Sequence, residues 1–561
     1  MTSNFWLKFT IAPLILVLAL LGASQAIAGE FFVSPSGNDN KNGRSLSSAW
    51  RTLGKANRML RPGDTVFIDS GSYDGSIQPQ RSGSGPSARI TYEAMHTGTV
   101  MITGFFGLEN RSYVSIRGIN ISATGRYARL QDASHITIED SVMSGVRGNP
   151  GLNMRNTAFS VFRNNIISGT AKNYIDVVSL TDSAHHNLFE YNLFELSAHT
   201  LVRLGGDSRF DDSDPHHNIF RKNIYNNDYH HCVSVVYGAN TNVFEHETFL
   251  KCGTGIFGPV ATTTAQGVRS AQGEGWHAWQ PWGIYRFNVV THTGSYGLIE
   301  DHISAFGGSS IRRPNGRIQR VYGNRIYNNT FVDNYGLVFR LGGQCQENDC
   351  TGVQYGDNRF KNNILIAGNP TKSKFGDILI SYPHRSFPNA DADSWHGNLI
   401  GRSSGDVVMW RKNRLNLQEA EAQISQADAE FSNNYFGEPR FRNAQSGDYS
   451  LTNNSAAIDS GMPLTYTVTD GTGTVIRVED ARYFIDGFGI VGGDTINIGN
   501  QIARITSVNY DRNRLTVDRP VSWQAGVGIS LPFAGNGPDS GAFEFGLRTP
   551  VPPILSAEMS F

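Results

Sequence analysis

Net charge is nearly absent from this 561-residue chain, in which 48 lysines and arginines are balanced by 49 aspartates and glutamates. Proteins that bind nucleic acids by neutralising phosphates need a basic excess, so no nucleic-acid partner is expected. Segments with helical periodicity are also scarce, whereas 61 glycines and many asparagine-rich turns are present. This combination favours an all-β protein.

Long apolar runs are missing after the first 28 residues, so we expect no membrane-spanning helix. Before that point, "IAPLILVLALLG" follows Lys8, and "AIA" places small residues where a signal peptidase reads. We therefore predict a signal peptide over residues 1–28, cleaved after Ala28. The mature chain is expected to be a soluble, secreted or periplasmic protein and a monomer.

Cysteines are few, and their use fits an oxidising compartment. Cys345 and Cys350 enclose the short loop "QEND" and are close enough along the chain to pair. Cys232 and Cys252 lie 20 positions apart. Four unpaired, buried thiols are the alternative to disulfides.

One pattern recurs along the middle of the chain: Asn-x-(aromatic or Ile)-x-x-Asn-x-apolar. It is clearest in "NLFEYNLF", "NIFRKNIY", "NRIYNNTF" and "NRFKNNIL". The central apolar residue of each copy serves as a marker, and the shortest interval between markers is 22 residues. The markers are Ile116, Ile138, Phe162, Phe189, Phe220, Phe244, Tyr285, Ile326 and Phe360. Repeats of this length are typical of solenoids.

Each repeat also contains a second short apolar run, such as "IDVVSL", "HTLVRL" or "GLVFRL". Several β-branched runs per repeat, separated by Asn and Gly turns, predict a right-handed parallel β-helix. The leucine spacing of the competing leucine-rich repeat is missing. The asparagines three residues after the markers should stack as a ladder at one corner, which Glu247 interrupts. They are Asn165, Asn192, Asn223, Asn288, Asn329 and Asn363.

Residues 463–533 follow a different pattern. There, "GDTINIGNQIARITSVNYDRNRLTVDRPV" alternates apolar and polar residues across turns such as "NYDRN". We predict a small inserted antiparallel β module, with a packing role favoured over sugar binding. The predicted organisation is a signal peptide (1–28), a capped β-helix (29–462), this module, a final β-helix segment (534–546) and a tail (547–561).

Two parts of the chain resemble secreted pectate-lyase-like β-helix proteins. "FFVSPSGNDNKNGRSLSSAWRTLGKANRMLRPGDTVFIDSGSY", residues 31–73, resembles their N-terminal cap and first strand, which implies that "LGKANRML" is the cap helix. Near the other end, "GDYSLTNNSAAIDSG" and "GPDSGAFEFG" are similar to their last-coil segments. The resemblance implies the fold, which carries lyases, hydrolases, epimerases and noncatalytic surface proteins.

Ionisable side chains recur in the apolar runs and are expected to line a groove on a flat face of the solenoid. In "HTLVRLGG", alternation predicts that Leu201 and Arg203 face this groove. Coils lie about 4.8 Å apart, so one residue per coil is enough to build a continuous site. An arginine that neutralises a uronate carboxylate and a His or Tyr that removes the adjacent proton suit β-elimination, although turn hydrogen bonds are the alternative role for each of them. The candidate catalytic residues are Arg203, His231, Tyr237, His199, His302 and Arg340.

"TLVRLGGDS" followed by "NIFRKNIY" also resembles polysaccharide lyases of the chondroitinase B and alginate lyase type. This resemblance implies that Arg203 is the arginine of their arginine-glycine motif. The lysine that those enzymes use as a base has no counterpart in the next strand, and their later "LRHG"-like strand is missing. His231 and Tyr237 are therefore the preferred bases. We expect a secreted lyase that cleaves an acidic, uronic-acid-containing polysaccharide by β-elimination.

Two further groups of residues are candidate ligand sites. "GWHAWQPWG" places Trp276, Trp279 and Trp282 within seven residues, as sugar-stacking platforms or as packing residues of a loop. His230 is a further candidate substrate-binding residue. "GDSRFDDSDP" is a candidate Ca²⁺ site, against a favoured solvated loop. Its carboxylates are Asp207, Asp211, Asp212 and Asp214.

Three alternative functions stay open. A glycoside hydrolase needs two carboxylates about 5–9.5 Å apart, for which Glu300 and Asp301 are candidates, but polygalacturonase-type signatures are missing. A uronate C5-epimerase shares its first step with elimination, and "SDPHH" resembles part of the Asp-Pro-His motif of β-helix mannuronan epimerases. A noncatalytic carbohydrate-binding surface protein would tolerate exchange of the groove residues.

Overall fold

The computed structural model describes most of the chain, and all contacts below refer to that part. The described ranges are 28–122, 125–145, 150–169, 175–197, 199–205, 213–228, 231–236, 238–252, 274–278, 282–292, 304–312, 318–319, 321–334, 337–345, 355–368, 376–382, 393–410, 412–425 and 430–547. Residues 1–27 of the predicted signal peptide and 548–561 of the predicted tail lie outside them. No helix in the described ranges is long and apolar enough to span a membrane.

The chain winds through three sheets in turn, and neighbouring strands of a sheet come from successive coils and pair in parallel. Within the described ranges, the first sheet has 14 strands: Glu30–Val33, Thr65–Ile68, Ile90–Ala94, Val114–Arg117, Thr137–Glu139, Val161–Arg163, Leu188–Glu190, Ile219–Arg221, Val243–Glu245, Ile284–Arg286, Arg325–Tyr327, Arg359–Lys361, Ser394–His396 and Glu430–Ser432. The second sheet has 13 such strands: Gly71–Tyr73, Val100–Ile102, Ile119–Ser122, Val142–Ser144, Ile166–Ser168, Leu193–Ser197, Ile224–Asp228, Thr248–Leu250, Val289–Thr291, Thr330–Asn334, Ile364–Ala367, Leu399–Ile400 and Tyr435–Phe436.

The third sheet has 13 strands in the described part of the chain, and two of them, Ile318–Gln319 and Asn413–Leu415, pair in antiparallel fashion. The other strands of this sheet are Phe106–Gly107, Ala128–Gln131, Leu152–Arg155, Asp176–Thr181, Thr200–Gly205, His231–Val236, Glu274–Ala278, Ser304–Arg312, Leu337–Cys345, Ile380–Tyr382 and Val408–Trp410. The predicted all-β parallel β-helix is confirmed.

A few short elements accompany the three sheets. Strands Val321–Tyr322 and Tyr355–Gly356 form one small pair, and Phe441–Asn443 and Asp448–Leu451 form another. The α-helices are Leu53–Met59 and Leu417–Ile424, and the 3₁₀ helices of the described ranges are Leu46–Ser48, Ala444–Ser446 and Ala481–Tyr483. The first α-helix is the predicted cap helix, and it begins where the Thr52 side chain accepts a hydrogen bond from the Lys55 backbone N–H at 3.2 Å.

The marker residues of the repeat form one row inside the first sheet. All nine of them pair directly from one coil to the next, from Ile116 to Phe360. Their aromatic rings stack at short distances, such as 4.6 Å between the ring centres of Phe162 and Phe189. Each coil therefore adds one large apolar side chain to a continuous, buried column.

The predicted asparagine ladder is confirmed at the corner between the first and second sheets. The Asn192 amide donates to Asn223 Oδ1 at 2.9 Å, and the same contact repeats between Asn288 and Asn329. At the interruption, the buried Glu247 carboxyl accepts from Asn223 Nδ2 at 3.1 Å. Two members beyond the predicted set, Asn398 and Asn434, continue the ladder.

A second ladder, which the sequence analysis missed, occupies the corner before the first sheet. It is built from the first asparagine of the repeat pattern. Asn187 donates to Asn218 Oδ1 at 2.9 Å, and Asn218 donates to Asn242 Oδ1 at 2.9 Å. Farther along, Asn324 bonds to Asn358, which bonds to Asp393. Both asparagines of the repeat are thus structural.

The outer face of the first sheet carries a charge ladder. Acidic and basic residues alternate in directly paired positions of eight successive coils: Glu93, Arg117, Glu139, Arg163, Glu190, Arg221, Glu245 and Arg286. Glu190, for example, pairs with an arginine on each side, at 2.5 Å from Arg163 Nη2 and 2.6 Å from Arg221 Nη2. Directly opposite charges on neighbouring strands stabilise a sheet, whereas like charges destabilise it.

The predicted C-terminal module is confirmed as an antiparallel sheet of six strands over fully described residues. They are Thr465–Tyr466, Gly471–Arg477, Thr495–Ile498, Gln501–Asn509, Arg514–Trp523 and Gly528–Ser530. The "NYDRN" turn joins two long paired strands, as predicted. A bridge between Thr467 and Val478 connects the two ends of the sheet, so the strands close into a small barrel.

The module packs against the outer face of the first sheet. Leu188, Ile219, Val243 and Ile284 pair in register there and belong to the same apolar cluster as the core of the module. Arg286, at the end of the charge ladder, donates both to Glu245 and to Asp494 of the module, with Nη2–Oδ1 at 2.7 Å. Apolar burial and a buried ion pair therefore hold the module on the β-helix.

C-terminal segments also cover part of the second sheet. Tyr449 and Ala542 pack on the outward-facing Val289 and Val332. The Ala542 backbone N–H donates to Thr330 Oγ1 at 3.0 Å. Parts of two of the three solenoid faces are thus occupied by the chain itself.

A disulfide links the second and third sheets. Cys232, in the strand His231–Val236, bonds to Cys252, just after the strand Thr248–Leu250, with the Cα atoms 5.4 Å apart. For the other candidate pair, Cys345 ends a described strand and Cys350 lies outside the described residues.

Glu247 gives the solenoid a pH-dependent stability. Burial raises the pKa of Glu247 to about 8, whereas an unfolded chain has an ordinary value near 4.3. The folded state therefore binds this proton more tightly, and its contribution to stability is complete below about pH 4.3 and is lost as pH rises to about 8. We expect Glu247→Gln to remove that loss, which is on the order of 5 kcal/mol, because an amide needs no proton there.

Urea denaturation of both proteins at pH 5 and pH 8.5 measures this effect. The gap between the two pH values should narrow in Glu247→Gln and persist in the control Glu421→Gln, whose carboxylate is exposed on the second helix. An equal gap in all three proteins would contradict the assignment.

Candidate functional site

The candidate site lies on the outer face of the third sheet. Val178, Val202 and Val233 pair in register and are buried, so the next position of each strand belongs to the outward row. Arg203 lies in that row, as predicted, but the expectation for Leu201 is wrong. Leu201 and Val202 are both fully buried in the core, so the alternation of inward and outward residues begins only at Val202. Where side chains are described, the outward row reads Arg129, Asn153, Ser179, Arg203, Ser234 and Ser381, and the backbone register between Ser234 and Ser381 passes through His277, Gly307 and Arg340.

One carboxylate brings two of the predicted residues together. Asp176 begins the strand one coil before Arg203, and its Oδ2 accepts from Arg203 Nη1 at 3.2 Å. Its Oδ1 lies 2.7 Å from His199 Nδ1. The Asp176 side chain is only 6% exposed, whereas those of His199 and Arg203 are 20% and 34% exposed. A buried acid thus holds an imidazole and a guanidinium side by side at the surface.

The local chain explains this placement. Ser197 Oγ donates to the Ile175 carbonyl at 2.9 Å and accepts from the His199 backbone N–H at 2.9 Å, which fixes the turn before the strand. Thr200 then pairs with Asp176, so His199 and Arg203 lie on either side of the acid along the neighbouring strand.

The electrostatics of this group follow from its partners. Burial by itself raises the pKa of Asp176, but the hydrogen bond from His199 and the charge of Arg203 outweigh it, and the pKa is lowered. Asp176 is therefore ionised at neutral pH and accepts from both neighbours. Because an ionised carboxylate only accepts, His199 Nδ1 carries the proton, and the neutral ring has its lone pair on Nε2. Such a ring can act as a general base.

His231 lies in the same register row as Asp176 and Thr200, two coils from the acid. Its backbone N–H donates to the His199 carbonyl at 3.0 Å. The residue is only 4% exposed, so His199 is more accessible for proton transfer than His231, the base preferred from sequence.

The backbone register places two further candidates. Arg340 lies in the outward row of Arg203, four coils along. Trp276 pairs in backbone register with Val233 and Phe306.

Of the remaining candidates, some lie in the described ranges and the others lie outside them. Trp282 is 40% exposed but lies before the first-sheet strand Ile284–Arg286, away from the third sheet. Asp214 is fully buried, and a Cβ added at Gly238 would lie 1.9 Å from its Oδ2. No group of three or more metal-binding side chains is placed to hold an ion in the described ranges. Tyr237, His230, His302, Trp279, Asp207, Asp211, Asp212, Glu300 and Asp301 lie outside those ranges and stay predictions.

Asp176 is the functional candidate that the sequence analysis missed. A signal for it exists in the repeats: aligning "IDVVSL" with "HTLVRL" on Val178 and Val202 places Asp176 one coil before Thr200. The alignment of second apolar runs, rather than of markers, would have found it.

Comparison with known proteins agrees with the observed β-helix fold. Residues 104–265 match the family profile described as "Right handed beta helix region". This chain is a right-handed β-helix protein. No curated protein sequence matches it. The matched segment contains Asp176, His199, Arg203 and His231, so the candidate site lies within the β-helix region.

Several solved structures have a similar course of the chain. Pectate lyase Pel9A is 14% identical with a TM-score of 0.42, over 92% of this chain and 96% of that one. A mannuronic acid specific family 6 polysaccharide lyase from human gut microbiota is 14% identical with a TM-score of 0.43, over 74% and 92%. The GH136 lacto-N-biosidase from Eubacterium ramulus is 13% identical with a TM-score of 0.43, over 73% and 68%. At such low values these similarities carry no argument about activity.

The contact between Asp176 and His199 should be energetically coupled. A double-mutant cycle with Asp176→Asn and His199→Gln is expected to give about 1–3 kcal/mol, because the bond is charge-assisted and the acid is buried. The matched control is His396 with Glu430, whose Nε2–Oε2 distance is 3.0 Å and whose acid is 63% exposed. That pair should give less than about 1 kcal/mol. Free energies of unfolding in urea provide both values, and equal coupling in the two pairs would contradict a special role for the buried acid.

Proposed function

We propose that this chain is a secreted polysaccharide lyase that cleaves a uronic-acid-containing polysaccharide by β-elimination. The observation that carries the proposal is the Asp176 carboxylate, which binds His199 and Arg203 at once. A cation for the substrate carboxylate and a base for the adjacent carbon are the two groups that elimination needs next to each other.

Arg203 is proposed to bind the C6 carboxylate of a uronate. The guanidinium has five N–H donors, and the Asp176 contact uses one of them. A planar guanidinium binds carboxylates through two parallel hydrogen bonds. Neutralising the carboxylate stabilises the charge that builds up on it when the C5 proton leaves, which lowers the barrier to proton removal.

His199 is proposed to be the base. Asp176 keeps the proton on Nδ1, so Nε2 accepts the C5 proton. The electron pair of the C5–H bond forms a C4=C5 double bond, and the C4–O bond breaks. The leaving oxygen takes a proton from water and becomes the new reducing end, while Asp176 stabilises the imidazolium, which then returns its proton to the solvent.

The course of the third sheet supports a polymeric substrate. Its outward row runs through successive coils about 4.8 Å apart, with the short side chains of Ser179 and Ser234 on either side of Arg203. The Cys232–Cys252 disulfide supports export to an oxidising compartment. A calcium requirement is included only as a property to be measured, because three of the four candidate calcium ligands lie outside the described residues.

Hydrolysis fits this group of residues less well. A hydrolase needs one carboxyl group as acid and a second as base or nucleophile. Asp176 is buried and engaged by two cationic or donor groups, so it is poorly suited to protonate a leaving group. C5-epimerisation shares proton removal with elimination and is distinguished by its product.

Purified mature protein incubated with alginate, pectate, glucuronan, chondroitin and hyaluronan tests the proposal. We expect one polymer to yield the ultraviolet absorbance of an unsaturated uronate. Arg203→Ala and His199→Ala should each lower kcat/KM by about 100- to 10,000-fold, because each removes one of the two groups that stabilise proton removal. Parallel reactions with EGTA measure the calcium requirement.

Arg519→Ala is the matched control, because Arg519 lies on the C-terminal module, outside the outward row, and binds Asp518 with Nη2–Oδ2 at 3.0 Å. It should retain activity. New reducing ends without unsaturation would replace the lyase with a hydrolase, and solvent exchange of the C5 proton without cleavage would replace it with an epimerase. Full activity of both Arg203→Ala and His199→Ala would refute the assigned site.

A further inference from the structure

A column of side chains runs along the turn that precedes the first sheet. In successive coils the same turn position has φ between 47° and 70°, so its side chains point in equivalent directions. These positions are Tyr113, His135, Phe159, His186, His217, Thr241, Trp282 and Gly323. The first five rings follow one another closely, and the distances between successive ring centres run from 4.4 Å for Tyr113 and His135 to 5.4 Å for His135 and Phe159.

Thr241 interrupts this aromatic column. Coils are about 4.8 Å apart, so the backbones of His217 and Trp282 are separated by roughly 10 Å with only a threonine between them. The Trp282 ring lies over Gly323, where an added Cβ would lie 2.7 Å from Trp282 Cδ1. The column therefore lacks an aromatic ring at the position of Thr241.

The C-terminal module closes this place from outside. Its Phe488 ring meets the His217 ring edge-on, at 4.7 Å between centres and an angle of 79°. Tyr510 and Asp511, from the "NYDRN" turn, lie beside it, together with Arg482. The cavity between module and β-helix has a volume of about 300 Å³, which is at the lower end of small-ligand sites.

We propose that this cavity is a second carbohydrate site, which binds one neutral pyranose ring between His217 and Trp282. The proposal goes beyond the lyase function and does not rest on it, because the cavity lies at the first sheet and the Asp176 group at the third. Aromatic rings at two sides bind the C–H faces of a sugar, and the polar groups at the rim bind its hydroxyls.

The charges of the cavity favour a neutral ring over a uronate. Arg482 is already engaged, with Nη1 3.1 Å from Asp357 Oδ2. Asp511 is exposed and adds a negative charge at the rim, which accepts hydroxyl hydrogen bonds but repels a carboxylate. Burial lowers the pKa of His217 to about 3, so its ring is neutral at physiological pH.

Thr241→Phe is the sharpest test, because it restores the missing ring of the column and fills the cavity. Phe159 already shows that the turn accepts a phenylalanine, with φ of 50°. Titration calorimetry with cellotetraose, xylotetraose, mannotetraose and β-galactotetraose should detect binding of at least one of them to the wild-type protein. Thr241→Phe and Trp282→Ala should each weaken that binding by roughly tenfold or more, since each removes a stacking surface.

Two controls separate this site from the rest of the molecule. Phe159→Ala removes a 39% exposed ring from the same column, two coils before His217, and should bind like the wild type. Arg203→Ala should also bind normally, because it alters only the third sheet. Absence of binding by all four neutral tetrasaccharides, or binding that Thr241→Phe leaves unchanged, would overturn the proposal. Preference for tetragalacturonate that Thr241→Phe abolishes would overturn the assignment to a neutral sugar.

Discussion

Many coils in the described part of this solenoid turn a corner by burying an asparagine, and the neighbouring coil satisfies the amide that is buried. Asn192 illustrates the geometry: it donates at 2.9 Å both to the Phe162 carbonyl of the preceding coil and to Asn223 of the next. Because an unsatisfied buried amide costs more than a made bond returns, a coil that slips by one residue loses its corners. The ladders therefore fix the register of all three sheets at once, including faces that the asparagines never touch.

That fixed register is what assembles the candidate site. Asp176 is 23 residues from His199 and 27 from Arg203, so no local element brings it to them. They meet because Thr200 is held opposite Asp176 from one coil to the next. The same constraint acts at the turn before the first sheet, where Thr241 leaves a gap between His217 and Trp282. In both places the solenoid supplies the spacing, and single side chains supply the chemistry.

Features that follow from a short pattern within one coil can be predicted from the sequence. Features that depend on which residues of two coils are paired cannot. The markers, the ladder at Asn165 and its successors, and the "NYDRN" hairpin all follow from short patterns, and the structure confirms them. The role of Asp176 and the charge ladder were not predicted, because marker intervals vary from 22 to 41 residues. Insertions of variable length hide which positions of two coils are paired. The packing of the module on Leu188 and Ile284 was not predicted for a different reason. In a sequence, an outward apolar residue that another segment covers has the same pattern as a residue of the β-helix core.

The charge ladder has a consequence for how such a chain can change its length. A solenoid grows or shrinks by duplication or loss of whole coils, and both ladders of asparagine would accept any number of them. The outward row does not, because it alternates from Glu93 to Arg286. Removing a single coil would bring two arginines or two glutamates face to face, whereas removing two restores the alternation. Over this stretch, coils can be gained or lost without opposing like charges only in pairs.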